Sequence, residues 1–247
     1  MIEHWNIPEI LREQYLGFIR LCLVDENEFA YFKRHPAIKV IIENTDVESG
    51  YECLEKANAI IMRIDYPRHF NEIESISDHE KIGNPDIFNN IFGVTISPTT
   101  SRYLMHLSQI YEWFDDLNEL VIGEIGAGYG GLCTIIHEYF DPKEYILFDL
   151  PEVMDFQVKY IKKFNPDINV SRNVKKDTKL DLILAFCSWS ELDYDLKMDY
   201  LVNVISKAKK GVLAINYDYE LNVELVRNVL LDKKITERIP GFIITFE

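Results

Sequence analysis

The stretch VIGEIGAGYGG (121–131) decides how the rest of the chain is read. An apolar, β-prone run leads into closely spaced glycines, and an apolar segment of helical character, LCTIIHEYF, follows. Strand, glycine loop and helix in that order make a turn on which a ligand approaches bare backbone. Two templates fit the loop. Gly126-x-Gly128-x-x-Gly131 matches a dinucleotide fingerprint. Glu124-x-Gly126-x-Gly128-x-Gly130 matches the acidic loop that holds S-adenosylmethionine. Glu124 separates them, because a carboxylate beside the loop attracts a methionine ammonium and repels a pyrophosphate. Ala127, Tyr129 and Gly130 complete the expected loop contacts.

Further along, Asp149 closes the run EYILFDL, 25 positions after Glu124. An acid at that strand end accepts hydrogen bonds from ribose hydroxyls. Leu150 then borders the base, and Pro151 marks a helix start, so Asp149 also reads as a helix cap.

Around this centre, apolar runs at 119–126, 144–150, 180–187 and 211–218 alternate with amphipathic segments, the pattern of βαβ units around a parallel sheet. INVSRNV (168–174) is the one weak candidate for a further strand. ITERIPGFIITFE, with its Pro240-Gly241 turn, predicts a closing antiparallel hairpin. The expected fold is therefore α/β, with a mostly parallel seven-stranded sheet and a mainly helical N-terminal region. Helices are expected over 7–24, over EFAYFKRHP up to Pro36, over 47–64, and from Ser97-Pro98 onward. Residues 65–98, polar and rich in Pro, Asn and Asp, read as a loop or lid. The division is 1–96, helical extension and lid, and 97–247, the cofactor-binding domain.

The chain has 247 residues and a formal charge of −15. That charge repels phosphate backbones, so no nucleic-acid partner is expected. The basic group Lys159, Lys162, Lys163, Arg172, Lys175 and Lys176 reads as a solvated face. No run is long and apolar enough for a membrane span, and the N-terminus lacks a signal-peptide layout, so a cytoplasmic protein is expected. Cys22, Cys53, Cys133 and Cys187 form no CxxC pair and read as reduced thiols. No metal is expected, although Asp193, Asp195 and Asp218 are placed where oxygen ligands for Mg²⁺ would lie.

EIGAGYGGLC, FDLPEV, AFCSWSEL and the upstream ISPTTSRYL together resemble the bacterial and viral sugar O-methyltransferases, over roughly residues 83–218. The resemblance implies a Rossmann-like sheet of order 3-2-1-4-5-7-6, S-adenosylmethionine as methyl donor, and a sugar or nucleotide-sugar hydroxyl as acceptor. It also implies that Glu124, Gly126, Gly128, Gly130 and Asp149 contact the donor. Homo-oligomerisation is left open. The rival readings are an NAD-dependent enzyme acting on a nucleotide-sugar, a methyltransferase for another small molecule, and a nonenzymatic binding protein.

Ligands of open α/β sheets sit beyond the carboxyl ends of the strands. Ser188-Trp189-Ser190-Glu191 follows such an end. Ser188 is expected at the cofactor, Trp189 as a surface on which a sugar ring stacks, and Glu191 as general base or acceptor contact. Asp218, after the strand at 211–218, is a second acceptor contact. His69 and His79, within the expected lid, are alternative bases. Arg102 is expected to reach the cofactor carboxylate. His106 and His137 read as packing or surface residues.

Overall fold

A computed structural model describes residues 8–61, 78–89, 95–172, 179–238 and 242–247. Helix α1 (Glu9–Val24) is followed by α2 (Glu26–Ala30), α3 (Pro36–Ile41) and α4 (Val47–Ile61). The segment EFAYFKRHP is not one helix. Asp25 caps α2 by accepting from Asn27 and Glu28, α2 stops at Ala30, and Phe32–Arg34 make a separate 3-10 turn. Pro36 starts α3 instead of ending its predecessor, with His35 Nδ1 as the cap. Proline is well suited to a first turn, where no N–H is needed.

Strands β1 (Phe88–Asn89) and β2 (Thr95–Ile96) pair antiparallel ahead of α5 (Pro98–Phe114). Ser97 caps α5 as its position predicts, its hydroxyl accepting from Thr100 N at 3.2 Å. Then come β3 (Val121–Ile125), α6 (Gly131–Tyr139), β4 (Glu144–Phe148), α7 (Pro151–Phe164) and β5 (Val170–Ser171). The chain continues with β6 (Leu180–Phe186), α8 (Tyr194–Asn203), β7 (Ala208–Ala214), α9 (Tyr219–Val229), β8 (Ile235–Arg238) and β9 (Ile243–Phe246).

The main sheet runs β5-β4-β3-β6-β7-β9-β8. Its first five strands are parallel, and β9 and β8 are antiparallel to their neighbours. Numbered by position in this sheet, the order is 3-2-1-4-5-7-6. The weak candidate at 168–174 is a two-residue edge strand, β5. The proposed Pro240-Gly241 turn lies outside the described residues, between β8 and β9.

The central strands are buried on both faces, which is why their sequences are continuous apolar runs. On one face, α1 and the 3-10 turn at Phe32 join α5, α6 and α7. Phe32 packs its ring edgewise on Phe156 and Tyr129, at centroid distances of 5.0 and 5.4 Å. On the other face, Trp189, Leu201, Ile205, Val223 and Val226 cover the sheet. The polar segment before α5 is partly inside this packing: His79 is 1% exposed.

Candidate active site

The turn from β3 to α6 is built on positive-φ glycines. Gly126 has φ +67°, and an added Cβ there would come within 2.9 Å of Ser188 Oγ and closer still to Ser188 Cβ. Gly130, at φ +94°, caps α6 from the left-handed region. The loop is held by Gly126 N–H donating to Phe148 O (2.9 Å) and Gly130 N–H donating to Ala127 O (2.7 Å).

This loop forms the floor of a cavity of about 290 Å³. Glu124, Ile125, Gly126, Ala127 and Gly128 line it from β3 and the loop, and Asp149 and Leu150 from the end of β4. Cys187, Ser188, Glu191 and Asn216 close it from the carboxyl ends of β6 and β7. Arg102, Tyr103 and His106 of α5 form another wall, with Tyr15, Ile41, Ile42 and Asn44 from the N-terminal helices.

Glu124 is 4% exposed and accepts a hydrogen bond from Tyr145 Oη at 2.6 Å. Burial pushes its carboxyl up to about 7; the Tyr145 bond opposes that rise and the Asp149 charge adds to it. Asp149 is pushed up to about 6, again chiefly by burial, against hydrogen bonds from Leu150 N and Gln157 Nε2, each 2.8 Å. Two acids on one cavity, Glu124 buried and Asp149 half-buried, neither offset by a protein cation at hydrogen-bond distance among the described contacts, suit a ligand that brings its own positive charge and hydroxyls. Gln157 also donates to Gly128 O at 3.0 Å. One amide therefore ties the glycine loop to the β4 acid. Its place one turn and a half into α7 gave no sequence motif to find it by.

Several expected residues fall elsewhere. Tyr129 and Gly130 do not line the cavity. Tyr129 is 1% exposed, with its ring against Tyr160 and Tyr103, and the Lys33 ammonium lies 4.7 Å from its centroid. Trp189 is 0% exposed and donates from Nε1 to Lys197 O (3.0 Å), so it is core and offers no stacking surface. The 3-10 turn Trp189–Glu191 swings the indole under the sheet while leaving Glu191 at the rim. His79 sits behind α6, beside Thr134 Oγ1 (3.2 Å) and stacked on Phe164; it does not line this cavity and so is no base for it. His69 lies outside the described residues. Asp218 is exposed at the start of α9 with φ +46° and does not line the cavity; Asn216, two residues earlier, does.

Other residues singled out in the sequence do line the cavity. Ser188 Oγ donates to Ile125 O, stitching the β6 rim to the end of β3. Asn216 Nδ2 donates to Glu191 Oε1 at 2.6 Å, fixing that carboxylate at the cavity edge. Arg102 lines the cavity, but its guanidinium donates to Ile42 O (2.8 Å) and Asn44 Oδ1 (2.6 Å), holding the end of α3 against α5. His106, read from sequence as a packing or surface residue, lines the cavity and stacks on Phe186, centroids 3.9 Å apart and planes 7° apart. Tyr15 is a further wall residue with no sequence signal, since α1 is brought there only by tertiary packing. Among the described residues, no group of three or more His, Cys, Asp and Glu gathers as for a metal, and no helix is long and apolar enough to cross a membrane. All four cysteines are unpaired.

A sheet of order 3-2-1-4-5-7-6 with an antiparallel last strand, and a cavity over the carboxyl end of its first strand, leaves one architecture. The fold is the Rossmann-like methyltransferase fold. No family model matches the sequence. Two flavone 3'-O-methyltransferases of Chrysosplenium americanum are each 27% identical over 135 residues, 51% of this chain. The match spans only 39% of the length of those relatives. Among solved structures, a ribosomal protein L11 methylase from Lactobacillus delbrueckii subsp. bulgaricus is similar at 18% identity and a TM-score of 0.43, over 65% of this chain and 79% of that one. A SAM-dependent methyltransferase from Aquifex aeolicus is similar at 12% identity and a TM-score of 0.42, over 56% and 86%.

Proposed function

We propose that this chain is an S-adenosylmethionine-dependent O-methyltransferase acting on a hydroxyl of a small molecule. The observation that carries the reading is the cavity lined by buried Glu124, half-buried Asp149 and a positive-φ glycine loop. Bound S-adenosylmethionine supplies an electrophilic methyl group on a positively charged sulfur. Glu124 would hold the ammonium end, in keeping with a buried carboxylate whose ionisation is suppressed until a cation arrives. Asp149, oriented by Gln157, would accept from the ribose hydroxyls, and Leu150 would border the base. Gly126 and Gly128 admit the ligand to bare backbone. An NAD reading is disfavoured because Glu124 lies where a pyrophosphate would need donors.

Positioning is the first part of the protein's contribution to catalysis. Glu191, clamped by Asn216, would bind the acceptor at the rim, and the paired rings of His106 and Phe186 would give it a flat wall. A sugar or nucleotide-sugar is the first acceptor class, supported by the resemblance carried by EIGAGYGGLC, FDLPEV and AFCSWSEL. A hydroxylated aromatic ring is the second. The same flat wall suits it, and the curated relatives act on flavones.

Titration calorimetry with S-adenosylhomocysteine and with NAD tests the donor. Binding of the former is expected, and it should weaken by about 10-fold or more in Asp149→Ala, the loss of roughly 1.4 kcal/mol of hydrogen bonding. Binding of NAD alone would refute the reading.

A further inference from the structure

The acceptor side of the cavity contains an imidazole in an unusual setting. His106 lies on α5, facing the rim where β6 ends at Phe186 and the chain turns through Cys187 and Ser188. Its ring is fixed by packing, parallel to Phe186 at 3.9 Å and edge-on to Tyr103 at 6.5 Å. Nδ1 is enclosed and has no hydrogen-bond partner among the described residues. His137, a packing histidine on α6, places Nδ1 2.7 Å from Cys133 O, one turn back, and leaves its Nε2 buried without a partner among the described residues. His106 forgoes that bond. A buried polar atom without a partner costs about 1–3 kcal/mol; among the described residues His79 Nε2 and His137 Nε2 share that condition, and of the three rings only that of His106 lines the cavity.

We propose that His106 receives the acceptor's hydroxyl proton during methyl transfer, an assignment that rests on the methyltransferase reading above. As the oxygen–carbon bond forms, the carbon–sulfur bond breaks and its electron pair stays on sulfur, leaving neutral S-adenosylhomocysteine. The oxygen–hydrogen electron pair returns to oxygen, giving a neutral ether, and the proton passes to an imidazole nitrogen and then to water. An oxygen acquiring its third bond is a far stronger acid than the free hydroxyl, so a weak base suffices provided it is unprotonated beforehand. The surroundings secure that. Burial, and then the Arg102 guanidinium one turn earlier, hold the imidazole in its neutral form down to about 3. The other charged groups on the cavity are Glu124, Asp149 and Glu191. Glu191 is left the task of orienting the acceptor, because Asn216 already occupies one of its oxygens.

The test uses the full chain as wild type, His106→Gln and His106→Phe. Each is titrated with S-adenosylhomocysteine and assayed for methyl transfer to UDP-glucose, methyl glucoside and a catechol-bearing flavone. Wild type should methylate at least one probe. Both variants should bind S-adenosylhomocysteine within about 2-fold of wild type while kcat falls by about 100-fold or more, the size of a general-base contribution. In the S-adenosylhomocysteine complex, His106→Gln should also weaken binding of the hydroxyl probe more than binding of its methyl ether. Variants that keep a third or more of wild-type kcat overturn the assignment. So does loss of S-adenosylhomocysteine binding in both, which would make His106 structural. If wild type binds S-adenosylhomocysteine but methylates none of the probes, the hydroxyl-acceptor assignment fails and the donor reading stands. If wild type binds no S-adenosylhomocysteine, the donor reading itself has failed.

Discussion

Gly126→Ala isolates the geometry on which the proposed donor site depends. Two separate costs arise from the one methyl group. At φ +67° an alanine is in the left-handed region, at a cost of about 1–2 kcal/mol. The new Cβ also falls 2.9 Å from Ser188 Oγ and nearer to Ser188 Cβ, while the Ser188 hydroxyl is itself bonded to Ile125 O and cannot swing away freely. Overpacking of that kind adds about 1–3 kcal/mol. Together these predict destabilisation of roughly 2–5 kcal/mol in urea unfolding, with S-adenosylhomocysteine binding lost or greatly weakened. Removing the Ser188 side chain separates the two terms. Gly126→Ala/Ser188→Gly should recover the steric part and leave the backbone part, giving a coupling of about 1–3 kcal/mol in a double-mutant cycle. Gly17→Ala is the control: that glycine is exposed in the middle of α1, a Cβ there meets nothing within 4 Å, and the change should stabilise by about 0.5–1 kcal/mol. Additivity of Gly126→Ala and Ser188→Gly, or a Gly126→Ala protein within about 0.5 kcal/mol of wild type, would refute the packing argument.

Three further outcomes follow from the site. Glu124 titrates at about 7 when folded against an ordinary value of 4.5, so the folded chain binds more protons between those limits. The stability this group contributes is full below about 4.5 and is lost as pH rises through 7, on the order of 3 kcal/mol in all; unfolding of Glu124→Gln measured from pH 4 to 8 should lack that decline, and identical pH profiles would contradict it. Trp189→Ala should cost about 3–5 kcal/mol in denaturant unfolding, because a fully buried indole leaves a hole; a folded variant that lost only acceptor binding would return Trp189 to the rim. Asn216→Ala should leave unfolding within about 1 kcal/mol of wild type, since Asn216 is exposed, yet lower methyl transfer several-fold by freeing Glu191; unchanged turnover would show that the clamp has no catalytic consequence.

What the sequence disclosed was whatever a short segment specifies by itself. Strand β3, the glycine loop and the acids Glu124 and Asp149 follow from local pattern, because the chain must turn there and leave backbone bare. The strands buried on both faces were legible as apolar runs for the same reason. Trp189 was misread because alternation along a rim loop does not reveal that a 3-10 turn sends one side chain under the sheet and the next to the cavity. His79 was misread because polar composition around it suggested a surface lid, while tertiary packing places its imidazole on Phe164 behind α6. Tyr15, Asn44, His106 and Gln157 reach the site from four separate helical segments or their ends, and nothing in their own neighbourhoods marks them.

The bridging amide of Gln157 has a thermodynamic consequence. Its Nε2 is shared between Gly128 O and Asp149 Oδ2, so the loop and the β4 acid, which under the proposed function would take the amino-acid and nucleoside halves of the donor, are tied to each other. A ligand fragment that settles either half removes part of the ordering cost for the other. Methionine and adenosine, offered as separate molecules, should each raise the apparent affinity of the protein for its companion, and by the same factor in either order. A donor spanning both halves then gains more than the sum of its pieces, and a severed nucleoside competes poorly with the intact donor.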